Sequence, residues 1–170
     1  GQTELASAPA STDELLISDG GTLKRIDVSL VGGDNTPAFH VRKSGNQSTS
    51  NGVATTVTWD TEDVDTDSAF ASNTFTVPSG KGGKYFIYAQ IRWNESADFE
   101  GIRLTIRKNS TNHFSTWGRN EYYQNQYVGG IIDLSATDTL DVQCRQTHGT
   151  VSLTATDSGT VSFFGGYKLI

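Results

Sequence analysis

Several things this chain lacks narrow its class before any motif is read. It has one cysteine in 170 residues, so no disulfide can form within the chain. Only 35% of residues are hydrophobic, and no uninterrupted apolar run approaches the length of a membrane span. No secretory signal pattern opens the sequence. Positive charge is scarce: 13 Lys and Arg stand against 19 Asp and Glu, a formal net charge of −6. Neutralising a phosphate backbone needs clustered cations, so this balance argues against nucleic acid as a partner. No Ser sits in a G-x-S-x-G elbow, no H-x-x-x-H pair occurs, and no Gly-rich phosphate loop precedes a helical pattern. His40, His113 and His148 are scattered, and the alternation in Leu140–Arg145 puts Cys144 on a core face. The sequence therefore reads as non-enzymatic.

What is abundant is Gly, Ser, Thr, Asn and Asp between short apolar alternations, the pattern of many strands joined by turns. The clearest strand lies in Phe75–Trp93. Pro78 and three glycines punctuate a loop. Tyr85, Ile87, Ala89, Ile91 and Trp93 then share one face, and Phe86, Tyr88, Gln90 and Arg92 the other. Gly101–Arg107 alternates equally cleanly. Strand patterns are also read over Ala38–Lys43, Val53–Trp59, Ala69–Val77, Tyr127–Leu134, Thr139–Gln146, Thr150–Thr154 and Gly159–Ile170. Ser44–Gly52 reads as a solvated loop, and Asn109–Gln126 as a polar and aromatic insert. About ten strands with turn signals every 8–12 residues predict an all-β, two-sheet antiparallel sandwich almost without helix. A chain of this length buries roughly 70% of its unfolded surface.

Ahead of the sandwich, Gly1–Ala10 reads as an extended arm. Glu14–Ser18 and Thr22–Val28 read as a hairpin turned by Asp19-Gly20-Gly21. A lone hairpin is marginal in water, so this one should pack on a neighbouring chain. Val31–Pro37 reads as a hinge, giving an attachment segment over 1–35 and a sandwich over 36–170.

Four segments in order resemble C1q/TNF-like globular domains. Phe75-Thr-Val-Pro78 followed by Gly83-Lys-Tyr85 is similar to that family's F…G-x-Y-x-F core. Val57–Phe70 resembles the aromatic–Asp segment before it, Leu134–Cys144 the L-x-x-G-D-x-L-x-V strand pair, and Val161–Ile170 the closing F-x-G-x-x-L strand. Ile87 and Ala89 depart from aromatic positions of the family core, Thr137 stands where Gly is common, and the loop before Gly83 is long. The resemblance covers about residues 37–170 and implies a jelly roll that closes as a homotrimer. Separately, Glu4–Leu30 resembles short modules near the start of bacteriophage tail-fibre and virion-appendage proteins. Together they imply a virion-exterior knob. It would join other virion proteins through residues 1–33 and contact a host-surface glycan or protein. Capsid decoration is the alternative within that class, and an extracellular C1q-like glycan- or protein-binding module the alternative outside it.

Candidate site residues follow. Large apolar groups stand on both faces of Tyr85–Tyr88 and of Val161–Ile170, and a monomeric sandwich needs only one such face. Tyr88, Phe164, Gly166 and Ile170 are the expected trimer interface, with Tyr88 and Phe164 pointing outward to the axis. Trp117, Arg119, Tyr122 and Tyr123 crowd among amides and are candidate ligand contacts. The same aromatics would serve equally to cover the end of the core. Asp63, Asp65 and Asp67 start like a calcium loop, but Ser68 and Thr74 stand where Gly and a carboxylate are required. Some C1q-like trimers hold calcium near their axis, so the resemblance leaves Asp60, Asp65 and Asp67 as cation candidates beside the reading of a solvated acidic turn. No other cofactor is expected.

Overall fold

The computed structural model describes residues 10, 13–28, 31, 35–94, 99–120, 125–153 and 161–169. The chain divides into two compact units, with the boundary between Asp34 and Asn35.

In the first unit, β1 (Glu14–Asp19) pairs antiparallel with β2 (Thr22–Asp27) in the register Glu14↔Asp27 to Asp19↔Thr22. Gly20 and Gly21 hold φ of 57° and 83°, the two left-handed positions a type I′ hairpin requires. Leu16 and Leu23 are about 70% exposed (68% and 70%), so this hairpin has no core of its own.

The second unit is a two-sheet antiparallel jelly roll, with no α-helix among the described residues. The larger sheet runs β4 (Gln47–Ser50), β14 (Thr150–Leu153), β9 (Gly83–Asn94), β15 (Phe163–Lys168), β3 (Ala38–Arg42), β6 (Thr61–Asp65), and β12 (Asn125–Leu134) pairs with the other side of β9. The smaller runs β11 (Thr111–Asn120), β10 (Phe99–Lys108), β13 (Thr139–Gln146), β8 (Thr74–Thr76), β7 (Phe70–Ala71), with β5 (Thr55–Thr56) also on β13. The alternation dictates which side chains meet between the sheets. On β9, Tyr85, Ile87, Ala89, Ile91 and Trp93 are fully buried. They face Ile102, Leu104 and Ile106 of β10 and Leu140, Val142 and Cys144 of β13. Phe39 of β3 stacks on Phe75 of β8 at 4.4 Å, and Phe164 meets Phe39 edge-on at 4.9 Å. Each such ring contributes about 1.5–3 kcal/mol by leaving water.

Buried polar groups tie the layers. Trp93 Nε1 donates to Gln126 Oε1 at 3.3 Å, and Gln126 Nε2 donates to the Ile102 carbonyl at 3.2 Å, joining β9, β12 and β10. Gln146 Nε2 bonds the carbonyls of Thr49 and Gly149. Lys43, only 1% exposed, is satisfied by the Thr58 carbonyl at 2.7 Å, and burial lowers its affinity for a proton.

Several local expectations change. The Asn109–Gln126 insert is largely strand: Asn109 and Ser110 (φ 49° and 64°) make a two-residue turn, and β11 returns along β10. This is an edge strand whose inward positions are Phe114, Thr116 and Gly118, so no apolar alternation marks it. Ser44–Gly52 contains β4, and Ala69–Val77 is a tight hairpin, β7 to β8, turned at Ser72-Asn73. Only Thr55–Thr56 of Val53–Trp59 joins a ladder, though Val57 and Trp59 are buried. These short elements bring the described strands to fifteen.

Phe164 is the main correction. It is 0% exposed and belongs to the core, as does Gly166, where an added Cβ would lie 2.3 Å from Ile87 Cδ1. The outward aromatics of β15 are Phe163 and Tyr167. Phe164→Ala is therefore expected to cost about 3–5 kcal/mol in denaturant unfolding. Phe164→Asp should lose its strand signal in circular dichroism. A Phe164→Asp protein that stays folded and merely dissociates would put that ring back on the outer face.

Candidate functional site

The outer face of the larger sheet is a grid fixed by register. β3, β15, β9 and β12 lie side by side, and three rows cross them. One row is Ala38, Tyr167, Phe86, Ile131. The next is His40, Gly165, Tyr88, Gly129. The third is Arg42, Phe163, Gln90, Tyr127. All these side chains point away from the core because their neighbours along each strand point into it.

The central row explains the two glycines. Tyr88 lies across Gly165 and reaches His40 Nδ1 with its hydroxyl at 3.0 Å. A Cβ on Gly165 would stand 2.6 Å from that hydroxyl oxygen, and one on Gly129 would meet Tyr88 Cβ at 3.1 Å. Around this ring, Phe163 lies 6.0 Å from Tyr88 and 5.6 Å from His40, and Phe86 lies 5.9 Å from both Tyr88 and Tyr167. Tyr127 and Ile131, at 50% and 61% exposure, extend the apolar surface onto β12. Charge is at the margin: Arg42 is held by Asp63 through its Nε and Nη2, and Lys84 bonds Asp133 at 2.9 Å. An apolar aromatic centre with a charged rim is the composition of a protein contact, and a soluble monomer rarely exposes one.

Of the residues expected at a subunit contact, Tyr88 lies at the centre of this face, Phe164 and Gly166 lie inside, and Ile170 is outside the described residues. Sequence reading missed His40, Phe163, Tyr127 and Ile131. The glycines opposite Tyr88 were the available signal, but pairing them needs the register. Trp117 and Arg119 project from the smaller sheet, on the other side of the sandwich, and Tyr122 and Tyr123 fall outside the described residues. The three candidate cation ligands do not converge. Asp60 accepts the amides of Ser44 and Gly45, Asp65 those of Ala69 and Phe70, and Asp67 accepts the Thr66 hydroxyl. Among the described residues no group of three or more His, Cys, Asp or Glu is placed to hold a metal. Cys144 is buried, its Sγ 3.6 Å from the Thr55 carbonyl, and burial pushes the thiol up to about 12, far from a nucleophile's range.

His40 gives this face a pH signature. Burial makes its proton less favourable, Asp63 pulls the other way, and Arg42 adds repulsion; the net shift is downward from 6.5. The folded chain then binds fewer protons than the unfolded one, so this contribution is full above about pH 6.5 and lost as the pH falls below it. Asp60, Asp63 and Asp138, all held below the usual carboxylate range, act in a separate, more acidic window. Unfolding free energy is expected to drop between pH 7.5 and 5.5, with His40→Gln flattening that slope. An equal slope in the variant would remove His40 from the effect.

No protein family's sequence profile matches this chain, and no curated protein does. Among solved structures it is similar to murine APRIL, in crystal structures determined at pH 8.0 and at pH 5.0. Identity in each is 17%, the match covers 78% of this chain and 98% of the other, and the TM-score is 0.59. That likeness is one of fold: residues 35–169 form a jelly-roll sandwich of the C1q/TNF-like kind.

Proposed function

We propose that this chain is a non-enzymatic, homotrimeric knob of a phage virion appendage, joined to its particle through residues 1–33. The observation that carries the assembly is the outer face of β3, β15, β9 and β12, where Tyr88, Phe86, Phe163, Tyr167, Tyr127 and Ile131 stand together in a charged rim. Covering them with the same face of other copies removes the apolar surface from water, and closure around an axis makes every copy equivalent. The number three comes from the resemblance to C1q/TNF-like domains, and the phage placement from that of Glu4–Leu30. The uncovered leucines of the β1–β2 hairpin support an attachment role, since a hairpin of this size needs a partner to be stable.

Ile131→Asp tests the assembly without touching the core, because the side chain is 61% exposed. The variant is expected to keep its circular dichroism and unfolding midpoint at low protein concentration. Light scattering should show its mass falling to that of one chain. A folded Ile131→Asp, Tyr127→Asp double variant that keeps the wild-type mass would exclude this face. A chain starting at Asn35 should fold and assemble yet no longer co-sediment with particles; failure to fold would sink the division into attachment segment and knob.

A further inference from the structure

On the opposite side of the sandwich, outward positions of the smaller sheet carry positive charge, part of it without an ion pair among the described residues. Arg103 of β10 stands directly across from Arg145 of β13 on one side and from Trp117 of β11 on the other. Arg119 follows two residues beyond Trp117 on the same face. The carboxylate at a described outward position of β10, β11 and β13 is Asp141, and Arg107 already holds it with two bonds of 2.6 and 2.8 Å. None of Arg103, Arg119 and Arg145 has an ion pair among the described residues. Like charges at directly opposed strand positions repel. In a chain of net charge −6, three guanidiniums collected on one face without a carboxylate partner among the described residues are not explained by folding.

The group is also held in place. The Arg103 guanidinium lies 4.9 Å from the centre of the Trp117 ring and donates from Nη2 to Ser115 Oγ at 3.1 Å. The Ser115 hydroxyl is in turn bonded to Thr105 Oγ1 at 3.0 Å. Arg103 Nε is shielded from water and has no acceptor. Arg145 Nε donates to the Gly52 carbonyl at 2.8 Å, which leaves its outer nitrogens available. Trp117 itself is 62% exposed. In the adjoining row the Ser115 hydroxyl and the Gln143 amide reach the surface on either side of Thr105, which is buried.

We propose that this face binds an anionic saccharide. Its carboxylate or sulfate would lie across the Arg103–Arg145 pair, with Arg119 at the margin, and a sugar C–H surface against the exposed indole of Trp117. Planar guanidiniums match two-oxygen anions bidentately, and a guanidinium already fixed by stacking loses little freedom on binding. Flat aromatic surface with hydroxyl and amide groups beside it suits a sugar ring better than a protein side chain. The overall negative charge opposes a long polyphosphate. The inference names the ligand class of the surface-contact role proposed above and rests on that reading only to that extent, because the two faces lie on opposite sheets.

The test is calorimetric titration of the full-length chain with sialyllactose, a sulfated chondroitin disaccharide, lactose and a short oligothymidylate. Light-scattering mass is measured on the same samples. Binding of at least one acidic sugar, none of lactose, and weakening with added salt are expected; which acidic sugar binds separates carboxylate from sulfate. Arg103→Gln and Arg145→Gln should each weaken binding about tenfold or more, the scale of one charged hydrogen bond. The fully surface change Arg119→Gln, which cannot unfold the sheet, should weaken it less. No binding of either acidic sugar, equal affinity in the variants, or tighter binding of oligothymidylate would overturn the proposal. A monomer that binds acidic sugar would end the assembly reading alone, and an assembled wild type that binds none would end this one alone.

Discussion

The large sheet depends on one constraint: β9 carries bulky side chains on both faces. A strand turns successive residues to opposite sides, so Tyr85, Ile87 and Trp93 cannot be buried between the sheets without sending Phe86 and Tyr88 outward. The neighbours of β9 are shaped to accept this. Gly165 and Gly129 flank Tyr88: the missing Cβ at Gly165 lets the ring lie down against the sheet and its hydroxyl reach His40, and the one missing at Gly129 leaves room for Tyr88 Cβ and the Tyr127 hydroxyl. Phe163 then packs beside it edge-on and Phe86 at a tilt, and Tyr167 packs against Phe86, each such pair adding about 0.5–1.5 kcal/mol beyond simple burial. The outer face is thus preassembled. A partner copy would meet a fixed aromatic surface and would not need to order it, which lowers the cost of association.

The same alternation made most of the sandwich legible in sequence. Where inward residues are apolar and outward ones polar, as in Ile102–Arg107 and Leu140–Arg145, strand and face follow at once. The reading fails where that contrast is lost. Phe163 and Phe164 are adjacent aromatics, and hydrophobicity alone cannot say which is inside. Ser162, Gly166 and Lys168 share parity with Phe164 and look like a solvent face. The register shows why they are not: the buried Ser162 hydroxyl accepts the backbone N–H of Arg92 at 3.0 Å, and Gly166 is pressed against Ile87. Polar residues there satisfy the core's backbone. β11 escaped notice for the opposite reason, since an edge strand has too few apolar inward positions to mark its period.

The candidate sites divide the same way. Tyr88 was readable as surplus apolar surface, but His40 sits in the site only because β3 ends up beside β15, two strands from β9. Trp117 and Arg119 were readable as a local cluster. Their partners Arg103 and Arg145 come from two other strands, and no spacing in the chain announces that pairing. The acidic run Asp60–Asp67 looked like a cation loop because its carboxylates are close in sequence. In the fold they cap separate turns, each occupied with backbone amides or a hydroxyl.

Brief hydroxyl-radical labelling of the wild-type protein, read residue by residue by mass spectrometry, tests the central claim most directly. If other copies cover the outer face of the larger sheet, Tyr127 and Tyr167 should be labelled far more slowly than their exposures of 50% and 37% in a single chain would give. Trp117, at 62% on the opposite sheet, should react freely. Rapid labelling of Tyr127 and Tyr167 at concentrations where Trp117 also reacts would contradict it.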